Sequence, residues 1–199
     1  MTSRWAYEAL SVTQFKDNAY EKLFYEPESR AKNAGYFRSY AIPGLTEINN
    51  DTRDLYRNNS DTFRYENNLM VLRSEINFIC HDIGLKPPAY IDSLTKELYD
   101  PVLHESVSAT LDRAFPVYRN RYNRAVNERD EIYRNLLNDL GGEANFLKFK
   151  QRYYNKQLAA VVNNEKEIMN YSVHDGEMIP IKDAIFREPM GNSWRAHFY

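Results

Sequence analysis

The chain has 199 residues, a length that fits one domain, with a formal net charge of −2 and acids and bases interleaved throughout. That balance excludes a global field of the kind that recruits nucleic acid or an anionic membrane. Its one cysteine, Cys80, excludes an intramolecular disulfide and a zinc cluster, and no apolar run approaches the roughly 18 to 20 residues of a membrane span.

Few glycines and abundant Arg, Glu, Leu, Asn and Tyr favour helix over sheet, so a helical, soluble body is expected. The 16 tyrosines combine an apolar ring with a polar tip, which suits long amphipathic helices and wet interfaces. No basic, apolar leader of the secretory kind opens the chain, which read alone points to the cytoplasm.

From Ser3 to Tyr25, Trp5, Ala9, Val12, Phe15, Ala19 and Leu23 recur at helical spacing, which predicts a helix capped by Ser3 and ended by Pro27. A second helix over 28–40 is expected to stop at a corner, Ala41-Ile42-Pro43-Gly44. Residues 45–59 read as a short helix that frays at Asn58-Asn59.

After Ser60, the residues Tyr65, Leu69, Leu72, Ile76, Ile79 and Ile83 alternate steps of four and three, which predicts a helical seam closed by Gly84. Asp100-Pro101 is a strong helix start, a capping carboxylate followed by proline in the first turn. The stripe from Leu103 to Leu140 then implies a helix of roughly 40 residues, about 60 Å long, which Pro116 should kink or divide. Gly141-Gly142 ends it, and residues 143–169 resume the pattern, giving a long helical hairpin with the seam helix as third partner.

Beyond Asn170, Asp175-Gly176 signals a turn and Pro180 and Pro189 interrupt an apolar stretch, so an extended arm with a short hairpin or edge strand is expected. The fold class is therefore all-α: an elongated antiparallel helical bundle forming a single domain. N-terminal helices occupy 1–59, the long-helix bundle 60–169 and the C-terminal arm 170–199.

Chemistry-bearing patterns are sparse. Asp100 and His104, with Glu105 beside them, have the spacing of two metal ligands, but no third ligand is evident, and Asp100 reads as a cap. Cys80 and His81 point about 100° apart on a helix, so Cys80 reads as a buried small hydrophobe. His174-Asp175 reads as a solvated turn. Arg113, Arg119, Arg121, Arg124, Arg129 and Arg134, interleaved with Tyr118, Tyr122 and Tyr133, carry the residue types that bind single-stranded nucleic acid. Glu128, Asp130 and Glu131 interrupt that stripe and favour a charged solvent face. No Walker loop, dinucleotide fingerprint, HExxH or nucleophile elbow occurs, so no cofactor is expected.

One stretch points further. Ser3-Arg4-Trp5-Ala6-Tyr7-Glu8-Ala9-Leu10, with Gln14-Phe15, resembles the segment that follows the fifth membrane helix in ATP-binding cassette exporters of the G-subfamily (White-type) permease architecture. There an aromatic and Glu-Ala-Leu pattern opens the outer loop before the last membrane helix. The closing Trp194-Arg195-Ala196-His197-Phe198-Tyr199 looks like the approach to a membrane helix, as in similar bacterial permeases with a large helical insertion at this point. The departure is size: the familiar loop is much shorter and usually bears cysteines.

The resemblance implies a non-catalytic, extracytoplasmic (periplasmic) loop domain of an exporter that contributes to gating or partner contact, with ATP hydrolysis in another domain. Its partners would be the rest of the transporter polypeptide, the membrane surface and a further protein. Arg4, Trp5, Tyr7, Glu8, Trp194, Arg195, Phe198 and Tyr199 would form the membrane-proximal junction, where aromatic rings and arginines are favoured. Both ends of the chain should then lie at one end of the bundle, with the first helix packed through Trp5 and Val12. The alternative is a cytoplasmic helical scaffold or nucleic-acid-binding module using the Arg/Tyr helix; a metal hydrolase using Asp100 and His104 ranks below both.

Overall fold

The computed structural model describes residues 2–186, except the side chains at positions 1–5, 8 and 184. It is an all-α bundle with one small hairpin. Helix α1 spans Thr2–Lys16 and α2 spans Glu21–Tyr36; a single π turn, Phe37–Ala41, joins α2 to α3, Ile42–Asn58. Helix α4 covers Thr62–Asp82, α5 Pro101–Asp139, α6 Glu143–Tyr153 and α7 Lys156–Val162. Strands β1, Tyr171–His174, and β2, Glu177–Pro180, follow.

Side-chain contacts define how the long elements run. Arg30 pairs with Glu128, Phe37 stacks on Tyr118, and Asn49 donates to the His104 carbonyl, so 21–58 runs antiparallel to α5. Tyr65 meets Tyr99 and Asp82 meets Tyr118, so α4 runs parallel to α5. The core between the three rods holds Phe37, Leu45, Leu72, Ile76, Ile79, Val107, Leu111 and Tyr118, all buried. Burial of each large apolar side chain contributes about 1.5 to 3 kcal/mol, which outweighs the modest helix propensity of its β-branched members.

Four expectations about joints are corrected. Pro27 does not end the first helix; it lies inside α2 with its ring buried. The break comes earlier, at 17–20, where the Asn18 Oδ1 accepts from the backbone N–H groups of Tyr20 and Glu21 at 3.0 and 2.8 Å. Pro43 does not make a corner either. It can return no N–H to the Ser39 carbonyl four residues back, and the π turn just before it, with Ile42 N–H bonded to the Phe37 carbonyl, lets the helix pass. Pro116 does not divide α5, which runs unbroken for 39 residues. The helix expected over 143–169 is two short ones, because Tyr154 is extended and Asn155 caps α7 through Gln157 and Leu158. The main partner of α5 is accordingly α2 and α3 rather than α6 and α7.

Other signals map directly onto the structure. Asp100 caps α5 by accepting from Val102 and Leu103, and Gly84, at φ +76°, follows α4 while Leu85 N–H bonds to the Cys80 carbonyl. Asp175 and Gly176, both at positive φ, form the two-residue turn between β1 and β2. The hairpin docks on the bundle: Met178 is fully buried, Tyr36 Oη donates to its carbonyl, and a Cβ at Gly44 would sit 2.6 Å from the Tyr171 hydroxyl oxygen.

Candidate functional site at the Phe15–Phe186 contact

Phe15, near the end of α1, lies edge-on to Phe186 with ring centroids 6.3 Å apart, and Tyr25 meets the same Phe186 ring at 5.4 Å. Ala159 of α7 completes this small core, which is separate from the main one. It forms because α1 stops at the Asn18 turn and the 3₁₀ segment Ala184–Phe186 folds back over α2 and α7. Lys16 closes the edge with its ammonium 4.6 Å above the Tyr25 ring.

Among the described side chains of α1, those before Phe15 make little use of the bundle. Tyr7 and Leu10 are 67% and 65% exposed. Val12 is exposed as well, which corrects the expectation that it leads a buried face; Phe15 is the buried anchor. Arg4, Trp5 and Glu8 belong to the α1 backbone, but their side chains lie outside the described residues, and so do Trp194, Arg195, Phe198 and Tyr199. Of the eight expected junction residues, Tyr7 alone has a described environment, and it is open to solvent.

Beside the junction is a pair of carboxylates, the buried Glu21 and the half-buried Glu28, that the sequence reading missed. Glu21 is buried at 4% exposure in the first turn of α2. Burial, and then the Glu28 carboxylate, push its pKa up to about 7 against the opposing pull of Lys150. Burial also raises Glu28, countered by Arg129, Lys32 and Lys150. Tyr20 packs beside this pair among Phe24, Phe146, Phe149 and Tyr154, and the Lys150 ammonium lies over the Tyr20 and Tyr154 rings at 5.3 and 5.2 Å. The arrangement can take up or release a proton near neutrality, but its burial keeps a substrate out. A signal for it was present, since Asn18-x-x-Glu21 has capping-box spacing.

The other patterns resolve into internal contacts. Arg121 and Tyr118 both bond to Asp82, Arg129 pairs with Asp130, and Arg134 donates to the Asp130 carbonyl. Tyr133 packs on Phe146 and Tyr122 lies under Arg38. His104 Nε2 is 3.0 Å from Asn50 Oδ1, Cys80 is buried with its thiol pKa pushed up by burial, and His174 faces Asp175 in solvent. Among the described residues no cluster of three His, Cys, Asp or Glu is arranged for a metal, and no helix is long and apolar enough to cross a membrane. No protein-family model, curated protein or solved structure significantly matches the chain.

Proposed function

We propose that this chain is a non-catalytic helical insertion of a G-subfamily-like ABC exporter, projecting from the extracytoplasmic face and acting in gating or partner contact. The observation that supports the reading is the contact between Phe15 and Phe186, which packs the last turn of α1 against the last described residue of the chain. A module inserted between two membrane helices must leave where it entered. The exposed Tyr7 and Leu10 add to this, because they give α1 an apolar surface beyond its anchor. The resemblance of the opening string supplies the family. The Arg/Tyr stripe is less suited to nucleic acid than its composition promised, since four of its members bond within the fold.

The test uses the two tryptophans, Trp5 and Trp194, both within the proposed junction. Intrinsic tryptophan emission therefore reports on that region alone. Mixed with phosphatidylethanolamine/phosphatidylglycerol vesicles, the chain is expected to emit at shorter wavelength and to be quenched by brominated acyl chains, as interfacial indoles are. Emission identical with and without vesicles overturns the junction reading.

A further inference from the structure

A groove of about 220 Å³ runs between α2, the π turn and the segment after β2. Gly35, Tyr36, Ser39, Tyr122, Lys182 and Asp183 line it. Its volume is below the roughly 300 Å³ at which drug-sized ligand sites begin, and fits a single ring with one substituent.

The charges of the lining do not cancel. Lys32, also at the groove, pairs with Asp183 at 3.1 Å, which leaves Lys182 without a carboxylate partner among the described residues. Arg38 is not in the lining but stands over two wall residues, its guanidinium 4.0 Å from the centre of the Tyr122 ring and its Nε on Ser39 Oγ, again with no carboxylate among the described residues. Two cations at an aromatic wall favour an anion whose apolar body can lie against the rings.

Gly35 gives a second, independent indication. It lies in the interior of α2, where alanine is the better helix former, and a Cβ there would meet only the Tyr122 ring, at 3.4 Å. That is ordinary contact, so packing of the fold does not demand glycine at this position. The missing methyl leaves the wall flat where Gly35 borders the Tyr122 ring.

We propose that this groove binds a small aromatic anion, one ring bearing a carboxylate or phosphate, with Tyr36 and Tyr122 against the ring and Lys182 neutralising the anionic group. Arg38 holds Tyr122 flat and adds positive potential at the rim.

Phenyl phosphate and benzoate serve as probes, with inorganic phosphate and benzyl alcohol as the two halves of the ligand tested separately. In ¹H–¹⁵N spectra, saturable shifts by either aromatic anion are expected in the backbone at 33–40, 122 and 181–183, with each half at least about tenfold weaker. Lys182→Glu should weaken binding by at least about tenfold. Gly35→Ala should fold with an unchanged or higher Tm and yet lose binding, which separates the site from stability. The proposal is overturned by the absence of saturation at about 10 mM of either anion. Inorganic phosphate reproducing the shifts unaided, or both variants keeping full affinity, overturns it equally.

Discussion

The Glu75 carboxylate accepts a hydrogen bond from the Met178 backbone N–H at 2.6 Å, joining α4 to β2 across 103 residues of chain. Glu75 is 3% exposed and Met178 is fully buried, so water cannot replace either partner. Removing the acceptor takes away this buried hydrogen bond, a loss of about 1 to 3 kcal/mol. Glu75→Ala should lower unfolding free energy by roughly 2 to 3 kcal/mol in urea titrations, and Glu75→Gln, which keeps an oxygen at the same place, by about half of that. Amide exchange at Met178 should accelerate in the alanine variant first; equal protection in both variants would show that this bond does not hold the hairpin.

The buried Glu21 makes stability depend on pH. Its folded pKa, raised from 4.5 to about 7, lies above the unfolded one, so the folded state binds the proton more tightly. The penalty of burying its charge is absent below the unfolded pKa, grows as pH rises between the two values and is complete above the folded one. Glu21→Gln should therefore raise stability by roughly 2 to 3 kcal/mol at pH 8 and leave it nearly unchanged at pH 4. Chemical denaturation at the two pH values decides it, and an equal effect at both would rule out titration of Glu21 in this range.

Gly44 is held to its size by the hairpin. An added Cβ would stand 2.6 Å from the Tyr171 hydroxyl oxygen and 3.0 Å from Met178 Cε. Gly44→Ala, favourable in an open helix, should here destabilise by about 1 to 2 kcal/mol through overpacking. Adding Tyr171→Phe removes the closest atom and should recover part of the loss, so the double-mutant cycle should give a coupling of at least about 0.5 kcal/mol.

Asn18 sets the joint between the first two helices with four short-range bonds, two accepted by Oδ1 and two donated by Nδ2, to the Gln14 and Phe15 carbonyls at 3.4 and 2.7 Å. Asn18→Ala should cost about 1 kcal/mol, the usual value of a lost cap. The Phe15–Phe186 contact depends on this joint, so methyl and aromatic shifts at Ala159 and Phe186 should move with it. Unperturbed shifts there would separate the cap from the junction.

Much of the bundle was legible in local pattern. The seam from Tyr65 to Ile79, the Asp100-Pro101 start, the Gly84 stop and the Asp175-Gly176 turn each rest on chemistry within a few residues. Prolines 27, 43 and 116 were misleading: the π turn before Pro43 absorbs its missing N–H, and the Pro27 ring is buried in the folded chain. Glu21 and Glu75 sit at positions that read as polar surface, and the elements that bury them arrive more than 100 residues later. The groove was hidden for the same reason, being walled by α2, Tyr122 and the segment after β2.

Helix 21–58 also has a consequence for biosynthesis. Its Arg30 waits for Glu128, so about 100 further residues must be made before α5 can cover the apolar side of α2. At about 5 to 20 residues per second that interval is roughly 5 to 20 seconds. Until then the nascent chain presents an apolar stripe through Phe24 and Ala31, while Phe37 also awaits Phe78 of α4. Native pairing of this helix is thus obligatorily late, and a ribosome-associated chaperone has a defined window in which to occupy it.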